Sequence, residues 1–173
     1  MEWRIAGQNT NGLRTDMDMR MWKQYLMEEE IDLCCATETH MDARREKEIE
    51  EVFENDYHCI LKRRKKRKKG DYGSGGLAVF VRRGMGVPRV ARSKGSDEIL
   101  WVDIEGLERK IYVAAVYLVP KKSSWYADNA EVRRELEEGI YEFRARGMGV
   151  IIGDVNSRIG ERVSHWKEGA MVE

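Results

Sequence analysis

VIIGDVNSRIG, residues 150–160, is the stretch from which the fold is predicted. Its first three residues are apolar and β-branched, which predicts a strand buried on both faces. Asp154 and Asn156 follow two positions apart, and such residues point to the same side of an extended segment. We therefore expect a carboxylate beside a carboxamide at the carboxyl end of a strand, where open α/β sheets place their sites. The same residues also fit an ordinary strand-ending turn.

Composition predicts a single domain over residues 1–173, with 42% hydrophobic residues and room for a sizeable core. Lys plus Arg and Asp plus Glu each number 31, so the net charge of zero argues neither for nor against a polyanionic partner. The three cysteines have no Cys-x-x-Cys spacing, which argues against a zinc site and a disulfide framework. No signal peptide or membrane-spanning run is present, so we expect an intracellular protein without a membrane partner.

Hydrophobic periodicity predicts alternating strands and helices at the start of the chain and a series of strands in the middle. The predicted strands are Trp3–Gln8, Ile31–Ala36, Tyr57–Leu61, Leu77–Val81, Ile99–Ile104, Ile111–Tyr117 and 150–152. The predicted helices begin near Thr15, Asp42 and Asp128, and the first should bury Met17, Met21, Trp22, Tyr25 and Leu26. This order predicts two packed sheets flanked by helices.

Polar residues stand where four of these strands end: Asn9 and Asn11, Glu38, Tyr117, and Asp154 with Asn156. A glutamate supplies the hard oxygen that Mg²⁺ prefers, and an aspartate can orient or deprotonate an attacking water. A tyrosine can donate to a phosphate oxygen, and asparagines can hold that water or bond phosphate. Each residue alone has an ordinary explanation: the asparagines as a turn, the glutamate as a solvated side chain and the tyrosine as packing. Together they predict one polar pocket with metal-dependent phosphate chemistry.

Five segments resemble motifs of the endonuclease/exonuclease/phosphatase superfamily, which has the DNase I-like fold. They are WRIAGQNTNGLR (3–14), IDLCCATETH (31–40), GGLAVF (75–80), VYLVP (116–120) and GDVN (153–156). The resemblance covers nearly the whole chain. The segment SRIG at 157–160 looks most like the branch found in non-LTR retrotransposons, in which the endonuclease precedes a reverse transcriptase.

This resemblance implies an α/β sandwich of two mixed β-sheets flanked by helices, in the order α/β/β/α. It implies phosphodiester hydrolysis with Mg²⁺ or Mn²⁺, DNA as the partner, and a downstream reverse-transcriptase domain in the full-length polypeptide. By position, the resemblance implies that Glu38 binds the metal with help from Asn11. It implies that Asp154 aligns the nucleophilic water with support from Asn156 and Asn9. It implies that Tyr117 contacts the scissile phosphate.

Two features depart from the family pattern. Thr37 stands where the family usually has a Gln that supports the metal-binding Glu. The family also ends in a Ser-Asp-His segment, which this sequence lacks, and His165 is not assigned the role of that histidine. We therefore expect a domain truncated at its C-terminus, without the last strands of the second sheet and with little or no activity by itself.

The basic run KRRKKRKK at 62–69 cannot lie in a core and is expected to form a solvated loop. A solubilising loop or a nuclear-localisation signal is favoured over direct DNA contact, and a nuclear protein is expected. The candidate nucleic-acid-binding residues are Lys62, Arg63, Arg64, Lys65, Lys66, Arg67, Lys68, Lys69 and Arg158.

Two alternative functions stay open beside the endonuclease. One is a catalytically dead remnant that still binds nucleic acid through the basic run. The other is a phosphatase-like enzyme that acts on inositol or lipid phosphates. The basic run is compatible with all three functions, because each involves a phosphate-bearing partner.

Overall fold

A computed structural model describes residues 2–65, 75–92, 94–105, 109–123 and 129–156, and the backbone alone of 165–167 and 170–172. The strands are β1 (Ile5–Asn9), β2 (Leu33–Thr37), β3 (Tyr57–Lys62), β4 (Leu77–Arg82), β5 (Val87–Arg92), β6 (Ile99–Glu105), β7 (Ile111–Tyr117), β8 (Met148–Asp154), β9 (His165–Lys167) and β10 (Ala170–Val172). The helices are α1 (Asp16–Glu28), α2 (Ala43–Phe53) and α3 (Ala130–Phe143).

Two four-stranded sheets form the centre of the molecule, in the orders β1-β2-β4-β3 and β5-β6-β7-β8. In the first sheet β1 and β2 are parallel and the other pairs are antiparallel. In the second sheet β7 and β8 are parallel, and β5, β6 and β7 pair antiparallel. Both sheets are therefore mixed, as predicted. Strands β9 and β10 pair antiparallel with each other.

The core has three layers: one between the two sheets, and one between each sheet and the helices that cover it. Between the sheets pack inward-facing residues of β2, β4, β6 and β7, among them Leu33, Val79, Val102 and Val113. Helices α1 and α2 cover the outer face of the first sheet with Met19, Leu26, Ile49 and Phe53. Helix α3 covers the second sheet with Val132 and Phe143, against Trp101 and Tyr112. The predicted α/β/β/α sandwich is confirmed.

Helix α1 begins as its sequence predicts, and it buries two of the five residues predicted to be core, Trp22 and Leu26. Thr15 and Asp18 form a reciprocal capping box that satisfies two backbone N–H groups. The buried residues of α1 are Met19, Trp22 and Leu26. Of the predicted stripe, Met17 is 65% exposed, and Met21 and Tyr25 are exposed beside it. An amphipathic helix packs one apolar stripe against a sheet. Helix α1 carries two adjacent apolar stripes, so apolarity alone did not identify which residues would be buried.

Strand β8 is also less buried than predicted. Val150 and Ile152 pack between the sheets, but Ile151 on the opposite face is 49% exposed. Among the described residues, no strand pairs with the outer edge of β8 or of β1. The two edges come close together, because a Cβ on Gly7 of β1 would lie 2.6 Å from the Ile152 side chain of β8. Glycine at position 7 therefore permits close approach of the two sheets at the end that carries the polar residues.

Strand β5 was not anticipated from the sequence, which contains Pro88 within it. Proline lacks a backbone donor and is tolerated at the edge of a sheet, and β5 is an edge strand. None of the helices in the described part of the chain combines the length and apolar composition needed to cross a bilayer.

Candidate active site

Four strand ends bring the predicted polar residues to one edge of the sandwich. In the first sheet, Asn9 at the end of β1 lies opposite Thr37 at the end of β2, and Glu38 follows directly. In the second sheet, Tyr117 at the end of β7 lies opposite Asp154 at the end of β8. Because both pairs are parallel, their carboxyl ends coincide, and the two sheets place their polar residues face to face.

The carboxamide of Asn9 joins the two carboxylates. Its Nδ2 donates to Glu38 Oε1 at 2.9 Å and to Asp154 Oδ2 at 3.0 Å. The two acceptor oxygens are therefore no more than about 6 Å apart. The backbone N–H of Asn11 donates to Asn9 Oδ1 at 3.0 Å, which fixes the amide orientation so that nitrogen faces the carboxylates.

Tyr117 contacts the same glutamate from the second sheet. Its hydroxyl donates to Glu38 Oε1 at 2.5 Å. Burial raises the pKa of Tyr117 well above its usual value, and the hydrogen bond to Glu38 raises it further. The phenol consequently keeps its proton at neutral pH and acts as a hydrogen-bond donor.

His40 and Arg14 complete the surroundings of Glu38, and the sequence reasoning did not assign them. Arg14 Nη2 lies 2.8 Å from His40 Nδ1, and His40 Nε2 lies 3.5 Å from Glu38 Oε2. A guanidinium can only donate, so His40 Nδ1 accepts and the Nε2–H faces Glu38. Burial lowers the pKa of His40 and the Arg14 charge lowers it further, against the opposing effect of Glu38. In the sequence, the position of His40 two residues after Glu38 was the signal that could have indicated its role.

The turn that carries Glu38 is held in an unusual backbone conformation. Glu38 and His40 have φ values of 52° and 51°, in the left-handed region that costs non-glycine residues energy. Backbone N–H groups of Thr39 and His40 donate to the carbonyls of Gly76 and Gly75, at 3.3 and 2.7 Å. Hydrogen bonds from a neighbouring segment thus hold Glu38 on a strained turn. Strained backbone that is held in this way is common at functional sites.

Asn156 and Asn11 enter the site mainly through their backbones. The Asn156 N–H donates to Asp154 Oδ1 at 2.9 Å, while its Nδ2 donates to the Leu118 carbonyl at the same distance. The expected side-by-side arrangement of Asp154 and Asn156 is therefore corrected. The chain leaves the extended conformation at Asn156, where φ is 43°, and the carboxamide turns towards Leu118.

The basic run divides into inward-facing and outward-facing residues, so the expectation of a wholly solvated loop is wrong. Lys62 ends β3, and its Nζ donates to the carbonyls of Ser96 and Ile99. The Arg64 side chain is only 6% exposed and pairs with Glu98. Arg63 and Lys65 are exposed. The candidates Lys66, Arg67, Lys68, Lys69 and Arg158 lie outside the described residues.

The donor set fits a hard divalent cation. Glu38 and Asp154 present partly exposed carboxylates that share the Asn9 donor, and Mg²⁺ is commonly held by one or two carboxylates while it keeps several waters. Within the described ranges, no group of three or more His, Cys, Asp or Glu side chains converges on a metal position. The two carboxylates therefore suit Mg²⁺ or Mn²⁺ with several bound waters.

Solved structures share this arrangement of sheets and helices. An AP endonuclease from Archaeoglobus fulgidus superposes with a TM-score of 0.59 at 21% identity over 90% of this chain. The human Nocturnin catalytic domain gives 0.61 at 12% identity over 92%. The 3′ phosphatase NExo from Neisseria, bound to product DNA hairpin, gives 0.61 at 15% identity over 92%. The chain has the DNase I-like fold.

The chain spans 58%, 65% and 60% of the lengths of these three DNase I-like structures. Neither a protein-family model nor a curated protein matches the sequence.

We predict that Asn9→Asp destabilises the protein at pH 7 by about 1–3 kcal/mol, because a donor between two carboxylates becomes a third carboxylate. The introduced carboxyl has a native-state pKa above its unfolded-state value. The penalty is therefore complete above the native pKa and disappears as the pH falls below the unfolded value. Denaturant unfolding at pH 7 and pH 4 measures it.

The matched control is Gln8→Glu, which adds the same charge at an exposed position one residue earlier. Added Mg²⁺ should restore part of the stability that Asn9→Asp removes and leave Gln8→Glu unchanged. Equal losses in the two variants at both pH values would show that Asn9 does not separate two carboxylates.

Proposed function

We propose that this chain is a metal-dependent phosphodiesterase domain that nicks DNA, as in the endonucleases of non-LTR retrotransposons. The observation that carries the proposal is the amide of Asn9, which holds Glu38 and Asp154 together at the carboxyl ends of β2 and β8. Proteins with the DNase I-like fold that act on DNA support the choice of substrate, since the Neisseria 3′ phosphatase was solved with product DNA hairpin. The segment at 157–160 supports the retrotransposon branch.

Phosphodiester hydrolysis needs an aligned water, neutralised charge and a stabilised leaving oxygen. Asp154 is proposed to hold and deprotonate the water, because Asn9 Nδ2 and the Asn156 N–H fix its two oxygens and leave further lone pairs for that water. Tyr117 keeps its proton, and its hydroxyl is proposed to rotate about the Cζ–O bond, with the ring in place, and to donate to a non-bridging phosphate oxygen instead of Glu38.

Glu38 would hold Mg²⁺ or Mn²⁺, with Asn11 as the proposed helper. The chemistry such an ion supplies is neutralisation of negative charge on the phosphate and the leaving oxygen. Asn9, Tyr117 and His40 orient the Glu38 carboxylate through hydrogen bonds and a longer polar contact. These donors provide the support that the family usually draws from the Gln at the position of Thr37.

DNA backbone contact is proposed for the outward-facing basic residues. Arg63 and Lys65 are exposed, and their charges lie in the same run as Lys66–Lys69. Lys62 and Arg64 are left out of this proposal, because their cationic groups are largely buried and are bound by the protein itself. Arg63 also pairs with Glu46, but its side chain is 48% exposed and can reach a phosphate. Nuclear import through the same run, and a reverse-transcriptase domain further along a longer polypeptide, belong to this proposal too.

We further propose that additional strands complete the two sheets. Ile5 of β1 and Ile151 of β8 are 43% and 49% exposed, beside strand edges that no described strand covers. Exposed edges with apolar residues are places where further strands add. The solved DNase I-like structures, of which this chain spans about three fifths, are consistent with such an addition.

Plasmid nicking in Mg²⁺ tests the proposed activity. We expect residues 1–173 to nick supercoiled DNA weakly or not at all, and a polypeptide extended by the downstream coding sequence to nick it efficiently. In the extended protein, Glu38→Gln and Asp154→Asn should each lower the rate by about 10² or more, because each removes a positioned charge. Glu137→Gln, at an exposed position of α3, is the control and should leave the rate unchanged.

Nicking that survives both site variants would overturn this assignment of the site. An extended protein that binds DNA without cleaving it would favour the nucleic-acid-binding remnant. Release of phosphate from inositol or lipid phosphates without DNA nicking would favour the phosphatase alternative.

Salt dependence tests the basic run. Replacement of Arg63 and Lys65–Lys69 by Ser and Gly should flatten the log–log dependence of DNA affinity on salt, by about 0.9 for each phosphate that these residues neutralise. Lys62 and Arg64 are retained so that the fold is preserved. The control is Arg133→Ser on α3, and an unchanged slope in the run variant would exclude phosphate contact by these residues.

A further inference from the structure

Arg64 is set apart from the rest of the basic run by its surroundings. Its side chain is 6% exposed, and its Nη2 donates to Glu98 Oε2 at 2.6 Å. Its Cζ lies 5.5 Å from the centroid of the Tyr117 ring, in cation–π range. A Cβ on Gly75 would lie 2.3 Å from the same Cζ. The guanidinium is thus packed between a glycine backbone and the face of Tyr117.

Glu98 accepts hydrogen bonds from both Arg64 and Tyr117. Its carboxylate accepts from Arg64, and its backbone carbonyl accepts from the Tyr117 N–H at 2.9 Å. Burial raises the pKa of Glu98, and the hydrogen bond from Arg64 opposes that shift. The Glu98 side chain is 15% exposed and pairs with an Arg64 side chain that is only 6% exposed, so removal of either group would leave a buried charge without its partner, which is costly.

The same assembly reaches the proposed catalytic pocket at two points. The Tyr117 hydroxyl donates to Glu38, so the ring position set by Arg64 also sets the position of that donor. Gly75, against which Arg64 packs, accepts from the backbone N–H of His40 in the turn that carries Glu38. Arg64 therefore contacts Tyr117, which donates to Glu38, and Gly75, which binds the turn that carries Glu38.

We propose that Arg64 is a positioning residue of the phosphodiesterase site, which acts by fixing the ring of Tyr117 so that its hydroxyl faces Glu38. This inference rests on the proposed function for its catalytic consequence, but its structural part stands without it. Arginine is required, because its planar group can stack on the ring while it donates to Glu98. A lysine ammonium has neither the plane nor the fork of donors.

Two neighbours in the run serve as matched controls. Lys62 is also largely buried and also anchors the 96–99 segment, through Ser96 and Ile99. Arg63 carries the same side chain as Arg64, but it is half exposed and pairs with Glu46. Replacement of Lys62 therefore shows the effect of loosening the 96–99 segment. Replacement of Arg63 shows the effect of removing a guanidinium from the same run.

The test that does not depend on activity uses the full chain with ¹³C-labelled tyrosine and follows the ring ¹³Cζ resonance of Tyr117, assigned by its disappearance in Tyr117→Phe. This carbon is bonded to the hydroxyl oxygen and responds to its hydrogen bond. We expect Arg64→Lys and Arg64→Gln to shift the resonance in the direction of a solvent-exposed tyrosine. Arg63→Gln and Lys62→Met should leave it in place.

If Arg64→Gln does not fold, Arg64→Lys and Glu98→Gln supply the same readout, since the second weakens the ion pair while it keeps the guanidinium. An unshifted Tyr117 resonance in folded Arg64 variants, or an equal shift in Lys62→Met, would overturn the proposal.

The catalytic consequence is tested in the extended polypeptide with supercoiled plasmid. We expect Arg64→Lys to lower kcat about tenfold or more with KM nearly unchanged, because the change misplaces a group used in the reaction without removing an exposed contact. Arg63→Gln should alter KM alone. Failure of every protein, wild type included, to cleave DNA would refute the proposed function while the tyrosine resonance still decides the role of Arg64. A rise in KM alone for Arg64→Lys would instead mark Arg64 as a binding contact and contradict the proposal.

Discussion

The site depends on one interaction, the bridge from the Asn9 carboxamide to the carboxylates of Glu38 and Asp154. These acids come from different sheets and would repel each other across a few ångströms without a donor between them. The bridge needs the sheets close together at this end, and glycine provides that space. A Cβ on Gly7 of the first sheet would lie 2.6 Å from the Ile152 side chain of the second sheet. The chemistry of the pocket therefore follows from how the sheets pack.

Two cations of the basic run are bound inside the protein. Arg64 with Glu98, and Lys62 with the carbonyls of residues 96 and 99, tie the end of β3 to the start of β6. This places part of a strongly basic segment inside the molecule, beside the ring of Tyr117. Burial lowers the pKa of Lys62, a cost that its contacts with backbone carbonyls offset. The fold uses two cations of this run for structure and leaves Arg63 and Lys65 exposed.

The sequence predicted the sandwich and the meeting of Asn9, Glu38, Tyr117 and Asp154, because each residue ends a strongly apolar strand and strand ends gather at a sheet edge. The sequence did not predict burial correctly where buried and exposed faces of an element are both apolar. Helix α1 carries two apolar stripes, and β8 is apolar on a face that is half exposed. It also failed for Arg64, since a run of like charges resembles a solvated loop whether or not a distant residue such as Glu98 pairs with one member. Pairings of that kind depend on tertiary structure and leave no local signal.

The most direct test of this account is the position of a divalent cation. Crystals of the chain grown with Mn²⁺ and measured at the manganese absorption edge should show an anomalous peak at bonding distance from a Glu38 carboxylate oxygen and on the same pocket as Asp154. The peak should vanish in Glu38→Gln and persist in Glu137→Gln. A Mn²⁺ peak elsewhere in the molecule, or one that remains at the pocket in Glu38→Gln, would contradict the claim that Glu38 is the metal-binding residue of a phosphodiesterase site.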